Sequence, residues 1–247
     1  MAKQKETVIE IQPTKIGRAS FWIKGASPMF FNALSEKVKQ ELLYPSVKTR
    51  ASRAGTLKHD PPREFVASMY RYRNGAEPTR LYVPATAFKG ALMTGALEST
   101  GATKAGIGRL VWVVGDTIPV YGVPKFHMTV VRQAGMNRAP DIRTRAILPE
   151  WACLVNIEYV EPQINATTLG TLLTLAGLVV GVGDFRQEKG KGNFGQFALS
   201  TEQEVAAIVK KGGMKQQDAA IEKPECYDLE TQTLLDWFTA ERKKRGQ

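Results

Sequence analysis

Alternation of apolar and polar positions marks the first element of the chain. Within residues 17–25, Ala19, Phe21 and Ile23 fall on one side and Ser20, Trp22 and Lys24 on the other, which predicts a strand. Ser27-Pro28 breaks it. Ser35 is placed to cap a helix over residues 36–44, stopped by Pro45. Pro61-Pro62 opens a second helix, expected to run to Tyr72, with Phe65 and Met69 at i and i+4 facing the core. Leu81 to Val83 reads as a short strand. Pro84 then starts a helix to about Ser99, where its missing N–H costs nothing. Residues 101–109 read as a loop, Leu110 to Val114 as a strand, and Gly115-Asp116 as a turn.

The second half repeats this grammar. Residues 125–132 and 142–148 are strand-like and flank a polar tip at 133–141, so the segment 125–148 is expected to form a projecting hairpin. Residues 152–160 place Cys153, Val155, Ile157 and Tyr159 on one strand face. Asn165 can cap a helix over 166–176, which feeds a glycine-rich loop and a short strand holding Phe194, Gln196, Phe197 and Leu199. Residues 201–211 read as helix and 212–226 as a polar linker. Residues 229–244 read as an amphipathic helix with Leu234, Leu235, Trp237 and Phe238 on its apolar face.

Strand, helix, glycine loop, strand is half of a ferredoxin-like unit, and strand 17–25, a helical insert, strand 81–83 and helix 85–99 make a matching half. The expected fold class is α+β. It has a ferredoxin-like (RNA-recognition-type) antiparallel sheet core with helices on one face, plus insertions and the projecting hairpin. The core is assigned to residues 1–200, with a basic insert at 46–62, and a C-terminal helical extension to 201–247.

Charge changes this picture from fold to function. Lys and Arg outnumber Asp and Glu by 34 to 24, giving a net charge of +10 and a pI near 9.6, the footprint of a phosphate-rich partner. The insert carries Lys48, Arg50, Arg53, Lys58 and His59 with little apolar periodicity. Next to it, Arg63, Arg71 and Arg73 surround Tyr70 and Tyr72, a mixture suited to base stacking over a phosphate-tracking surface. In the late loop Gly181, Gly183, Gly190, Gly192 and Gly195 permit positive φ and leave backbone N–H groups uncovered. Arg186, Lys189 and Lys191 add cations beside them. The start of helix 85–99 offers further N–H groups, with Lys89 one turn in. Gly190, Gly192 and Gly195 spell G-x-G-x-x-G, but a helix precedes them and a strand follows, the reverse of the dinucleotide fingerprint. A P-loop is excluded as well, because Gly190-Lys191 is followed by Gly192.

Two stretches carry a resemblance. Gly190-Lys191-Gly192-Asn193-Phe194-Gly195-Gln196-Phe197 resembles the glycine-rich loop of the RAMP superfamily, the repeat-associated proteins of CRISPR systems. Leu81-Tyr82-Val83-Pro84-Ala85-Thr86-Ala87-Phe88-Lys89-Gly90-Ala91-Leu92 looks like the strand, proline, Lys-Gly, helix signature of the CRISPR effector backbone subunits. The resemblance implies a non-catalytic subunit that coats single-stranded nucleic acid, RNA before DNA. Repeating copies would associate into a helical filament, with other CRISPR-type subunits as further partners. It makes the 125–148 hairpin the counterpart of a thumb, with Met136, Arg138, Arg143 and Arg145 as contacts. An endoribonuclease of the same superfamily, a single-stranded DNA binding or annealing protein, and a structural protein meeting an acidic partner are the alternatives.

Chemistry-bearing residues are sparse. The chain has two histidines, His59 and His127, and no serine, cysteine or carboxylate arrangement beside them. His59-Asp60, in an early loop, is the only pair comparable with the sites of RNA-cutting relatives. Cys153 and Cys226 have no metal spacing. No metal or cofactor is therefore expected. The first residues contain no apolar signal region, and no run reaches membrane-spanning length, so a soluble cytoplasmic protein is expected.

Overall fold

The computed structural model describes residues 13–44, 59–132, 139–189 and 192–245. Its central contact joins β1 (Lys15–Gly25) and a later strand, Ala152–Glu161, which pair antiparallel from Lys15↔Glu161 to Lys24↔Ala152. Alternation drives the pairing: Ile23, Cys153, Val155, Ile157 and Tyr159 are buried on one face, while Ser20 and Asn156 are exposed and share a 2.7 Å hydrogen bond. Numbered along the chain, the strands are β2 (Met29–Phe30), β3 (Tyr82–Pro84), β4 (Val111–Val113), β5 (Thr117–Tyr121), β6 (Lys125–Arg132), β7 (Pro140–Leu148), β8 (Ala152–Glu161) and β9 (Phe197–Ser200). The main sheet has the order β3-β5-β8-β1-β9, with β4 also pairing β8. A second sheet has the order β2-β7-β6. Every strand pair is antiparallel, and the fold is α+β.

Helix α1 (Glu36–Leu43) is capped by Ser35, and α2 (Pro61–Ala67) by Asp60. The latter stops well short of Tyr72, because residues 70–72 are drawn out beside 80–82 by Tyr72 N–H to the Arg80 carbonyl (2.9 Å) and Tyr82 N–H to the Tyr70 carbonyl (3.1 Å). Phe65 and Met69 are buried as expected. The helices α3 (Ala85–Gly95) and α5 (Ala166–Val179) pack on each other and on the sheet. Their small residues set the spacing: a Cβ on Gly95 would lie 3.0 Å from Ala176 Cα. Between them in sequence, residues 101–109 were expected as loop but contain α4 (Lys104–Leu110). Its two glycines and single buried residue, Ile107, give no periodic signal, and the Thr103 side chain supplies the cap.

The hairpin is present as β6 and β7 in continuous register from Lys125↔Ile147 to Arg132↔Pro140. Its lower half is rooted in the core through Phe126, Met128, Ala146, Ile147 and Leu148, while Val130 and Arg132 nearer the tip are exposed.

The C-terminal segment departs most from expectation. Helices α6 (Glu202–Lys211), α7 (Met214–Glu222) and α8 (Leu229–Lys244) follow β9, and α7 occupies the stretch expected to be a linker. One side chain explains it. Gln217, fully buried, accepts from the N–H groups of Arg80 (2.7 Å) and Leu81 (3.0 Å) and donates to the carbonyls of Val120 (2.8 Å), Gly122 (2.9 Å) and Gly212 (2.8 Å). Beside it Arg80 meets the Asp218 carboxylate through two nitrogens, at 2.6 and 2.9 Å. Residues 225–227 then run along β6, and the Thr231 hydroxyl accepts from Met128 N–H (3.1 Å).

Replacing Gln217 with Leu keeps the volume but strands buried backbone donors and acceptors, so unfolding in urea should show a loss on the order of 3 kcal/mol. An unchanged urea midpoint would show that α7 is not held by this side chain.

Candidate nucleic-acid interface

The late glycine loop is shaped by close backbone approach. After α5, Gly181 takes φ +76° and donates to the Ala176 carbonyl (2.9 Å). The chain doubles back, with Val182 N–H to the Gly195 carbonyl (2.8 Å) and Phe194 N–H to the Phe185 carbonyl (3.3 Å). The same ribbon lies along the chain around β2, through Asp184 N–H to Phe30 (3.1 Å) and Gly195 N–H to Pro28 (2.8 Å). Gly183 combines φ +83° with contact: a Cβ there would sit 2.5 Å from the Phe30 carbonyl oxygen and 2.8 Å from Met29 Cγ. A Cβ on Gly192 would overlap the Phe185 carbonyl. The expectation that these glycines bare their N–H groups for an anion is therefore corrected at Gly181 and Gly195, whose donors are already used within the fold. Gly183 N–H has no partner among the described residues.

An ion pair ties this ribbon to the hairpin. Arg145 on β7 meets the Asp184 carboxylate, and its side chain is only 13% exposed. Burial lowers the Arg145 guanidinium from its ordinary range, and Asp184 offsets part of that. Arg145 was expected to reach a ligand, but it is turned inward and spent on the loop. Arg143, two residues earlier, is exposed.

The start of α3 approaches the ribbon from the other side. Pro84 is its N-cap, and Ala85 N–H is taken by the Asp116 carbonyl (2.9 Å). Pro84, Thr86 and Ala87 line one side of a cleft of about 180 Å³, and Gly183 and Arg186 line the other. Met29, Phe30, Phe31 and Val83 contribute apolar surface, and Asn32 and Tyr70 complete the lining. The motif at 81–92 thus meets, at one opening, the part of the late loop that precedes 190–197; no described residue of 190–197 lines it. Arg186 is held there by Glu188 at 2.9 Å. Lys89 follows Thr86 by three residues, on the same side of the helix.

Tyr70 belongs to a cluster of tilted rings. Its ring centroid lies 5.7 Å from that of Tyr82, which lies 4.7 Å from Tyr72. Burial, and then the neighbouring Tyr82, raise the Tyr70 phenol, so it stays neutral. Tyr70 donates to the Asn32 side-chain oxygen at 3.3 Å and Tyr72 to Thr117 at 2.9 Å. Sequence reasoning missed Tyr82 and Asn32. The spacing of Tyr70 and Tyr72 around an extended turn was the available signal for the former; nothing singled out the latter.

Other expected site residues lie elsewhere. Arg63 is exposed at the start of α2. Asp60 caps that helix, accepting from Arg63 N–H at 3.4 Å. His59 stands between Glu64 (3.1 Å) and Asp141 (2.9 Å), so both ring nitrogens are engaged. His59 thereby joins α2 to β7. His127 contacts Asp228 at 3.5 Å and packs edgewise on Phe30 and Tyr227. Lys48, Arg50, Arg53, Lys58, Met136, Arg138, Gly190, Lys191 and the side chain of Lys189 lie outside the described residues. Among the described residues, no group of three or more His, Cys, Asp or Glu could hold a metal ion, and no helix is long and apolar enough to cross a membrane.

No family model matches the chain. No curated protein matches it either. Among solved structures it is similar to the crystal structure of Cmr6 from Pyrococcus furiosus, at 10% identity over 75% of this chain and 98% of that one, with a TM-score of 0.36. An overlap that loose transfers no residue roles.

Arg145→Met should cost about 2 kcal/mol in urea unfolding, less than a fully buried pair would lose, because Asp184 keeps 30% exposure to water. A stability equal to the parent's would remove the pair as the anchor of the loop. A second outcome concerns pH. Burial lowers the folded-state pKa of His127 below its ordinary 6.5. Between the two values the unfolded chain binds more protons, so stability falls as pH drops through 6.5 and levels off below the folded value. His127→Gln should flatten that part of the stability–pH curve; an identical slope in the variant would contradict this assignment.

Proposed function

We propose that this protein binds single-stranded nucleic acid, RNA before DNA, as a non-catalytic, backbone-like subunit of RAMP type. The observation that carries the proposal is the convergence of the α3 start and the glycine ribbon on one cleft. The open N–H groups of the first helical turn and the Thr86 hydroxyl suit a phosphate oxygen, because the helix dipole favours negative charge there. Arg186 lines the cleft and Lys89 lies one turn into the helix, and Tyr70 offers a ring on which a base stacks. Thr86 offers a polar atom to a 2′-hydroxyl, the group that separates RNA from DNA.

The core is proposed to be ferredoxin-like. Taken as β1–α3–β4–β8–α5–β9, the chain follows the β-α-β-β-α-β path, and the order β9-β1-β8-β4 in space fits it. Residues 125–148 would then serve as the thumb, with exposed Arg143 on its outer strand, and residues 201–247 as a helical extension of the core. The net charge of +10 favours a polyanion over an acidic small molecule. Copies following one another along a strand in the cytoplasm, beside other CRISPR-type subunits, complete the reading.

Fluorescence polarisation with a labelled oligouridylate of about 15 nucleotides tests it. Arg186→Gln and Lys89→Gln should each weaken binding by roughly tenfold at low salt and reduce the salt slope by about one. A double variant that binds as tightly as the parent would remove the cleft from the nucleic-acid path.

A further inference from the structure

We propose that the interior of the cleft holds one unpaired nucleobase while the sugar and phosphate stay outside at its mouth. The inference rests on the reading above and adds what the site selects. Volume decides the size of the guest. A cavity of about 150 Å³ holds one benzene ring, and this cleft encloses about 180 Å³. There is room inside for a planar heterocycle, and the ribose and phosphate attached to it would lie at the open mouth.

Lining decides the chemistry. Phe30, Phe31 and Val83 line the cleft with apolar atoms and are 5%, 2% and 4% exposed, while Met29 has no exposed surface. A phosphate drawn in against them would lose its hydration without a paired cation, which is far more costly than burying a neutral ring. Tyr70 supplies an aromatic ring, and its orientation is fixed twice: by its hydroxyl on Asn32 and by its contact with the tilted Tyr82 ring. The Asn32 amide nitrogen and the Gly183 N–H are donors, and the edge of every base carries acceptors for them. The charged and hydroxyl groups, Arg186 and Thr86, are where a backbone leaving the cleft would need them. A duplex cannot present a base in this way without opening, so the cleft favours single strands by exclusion.

The test compares the unmodified protein on two labelled strands of equal length: an oligouridylate of about 15 nucleotides and the same ribose-phosphate chain with its bases removed. The oligouridylate is expected to bind roughly tenfold more tightly, the scale of one stacked base. Ala87→Phe, which fills the cleft, and Tyr70→Leu, which removes its aromatic face, should narrow that ratio. Equal affinity for the two strands overturns the base pocket and leaves phosphate tracking in place. Failure of both strands to bind at about 50 mM salt overturns the proposed function and this inference with it. The parent's ratio alone decides the matter, so a variant that fails to fold cannot conceal the answer.

Discussion

The glycine ribbon reaches β2 because nothing projects between the two backbones. At Gly183 the approach leaves no room for a Cβ against the Phe30 carbonyl, and at Gly195 none against the Val182 carbonyl. Positive φ at Gly181, Gly183 and Gly195 bends the chain through conformations that side chains resist. Phe185 is the one non-glycine with positive φ among the described residues, and its ring packs edgewise on Phe194. The position of Arg186 follows from this constraint. A chain held farther from β2 would carry the guanidinium away from α3, and the cleft would open into a flat surface. Arg145 closes the arrangement from beneath, because Asp184, its partner, precedes Arg186 by two residues.

The opposite wall depends on a more distant polar network. Tyr70 and Tyr72 lie beside 80–82 through backbone hydrogen bonds and the Arg71↔Leu81 bridge. That strip is fixed in turn by Gln217, which takes the N–H groups of Arg80 and Leu81, and by Arg80 itself, which also donates to the Tyr72 carbonyl at 3.0 Å. A helix near the C-terminus thus sets the register of the strip that holds Tyr70, the tyrosine lining the cleft. Buried amides act this way because leaving any one bond unmade costs nearly as much as several made bonds contribute.

Periodicity exposed the long elements and was silent on the short ones. The strand at 17–25, the hairpin and the Asn165-capped helix were legible because alternation or capping chemistry repeats over many residues. Helices α4 and α7 were not, since one buried residue each, Ile107 and Gln217, decides them, and Gln217 is polar. One wall of the candidate cleft was legible in the motif at 81–92, and the use of the glycine donors was misjudged. Glycine content indicated a special backbone, but whether such a backbone holds an anion or another strand of the same protein depends on tertiary neighbours that no local spacing encodes. The same limit applies to charge. Arg145 and Arg143 look alike in sequence, and only the third dimension buries one against Asp184 and leaves the other exposed.

Charge therefore cannot be counted from the composition when the ligand is considered. Arg80 and Arg145 are committed to carboxylates, and Arg186 is shared with Glu188. What lines the cleft is this shared guanidinium at the rim of an apolar lining, and salt acts on the two unequally. Counterions screen the rim within about 10 Å at 0.1 M ionic strength, whereas burial of a ring against Tyr70 and the apolar lining does not weaken with added salt. A strand held by both has an affinity that falls with salt toward a floor set by the interior, and a strand held by phosphate alone has no such floor. The shape of the salt dependence, more than its steepness, thus separates a surface that follows a backbone from a cleft that also takes a base.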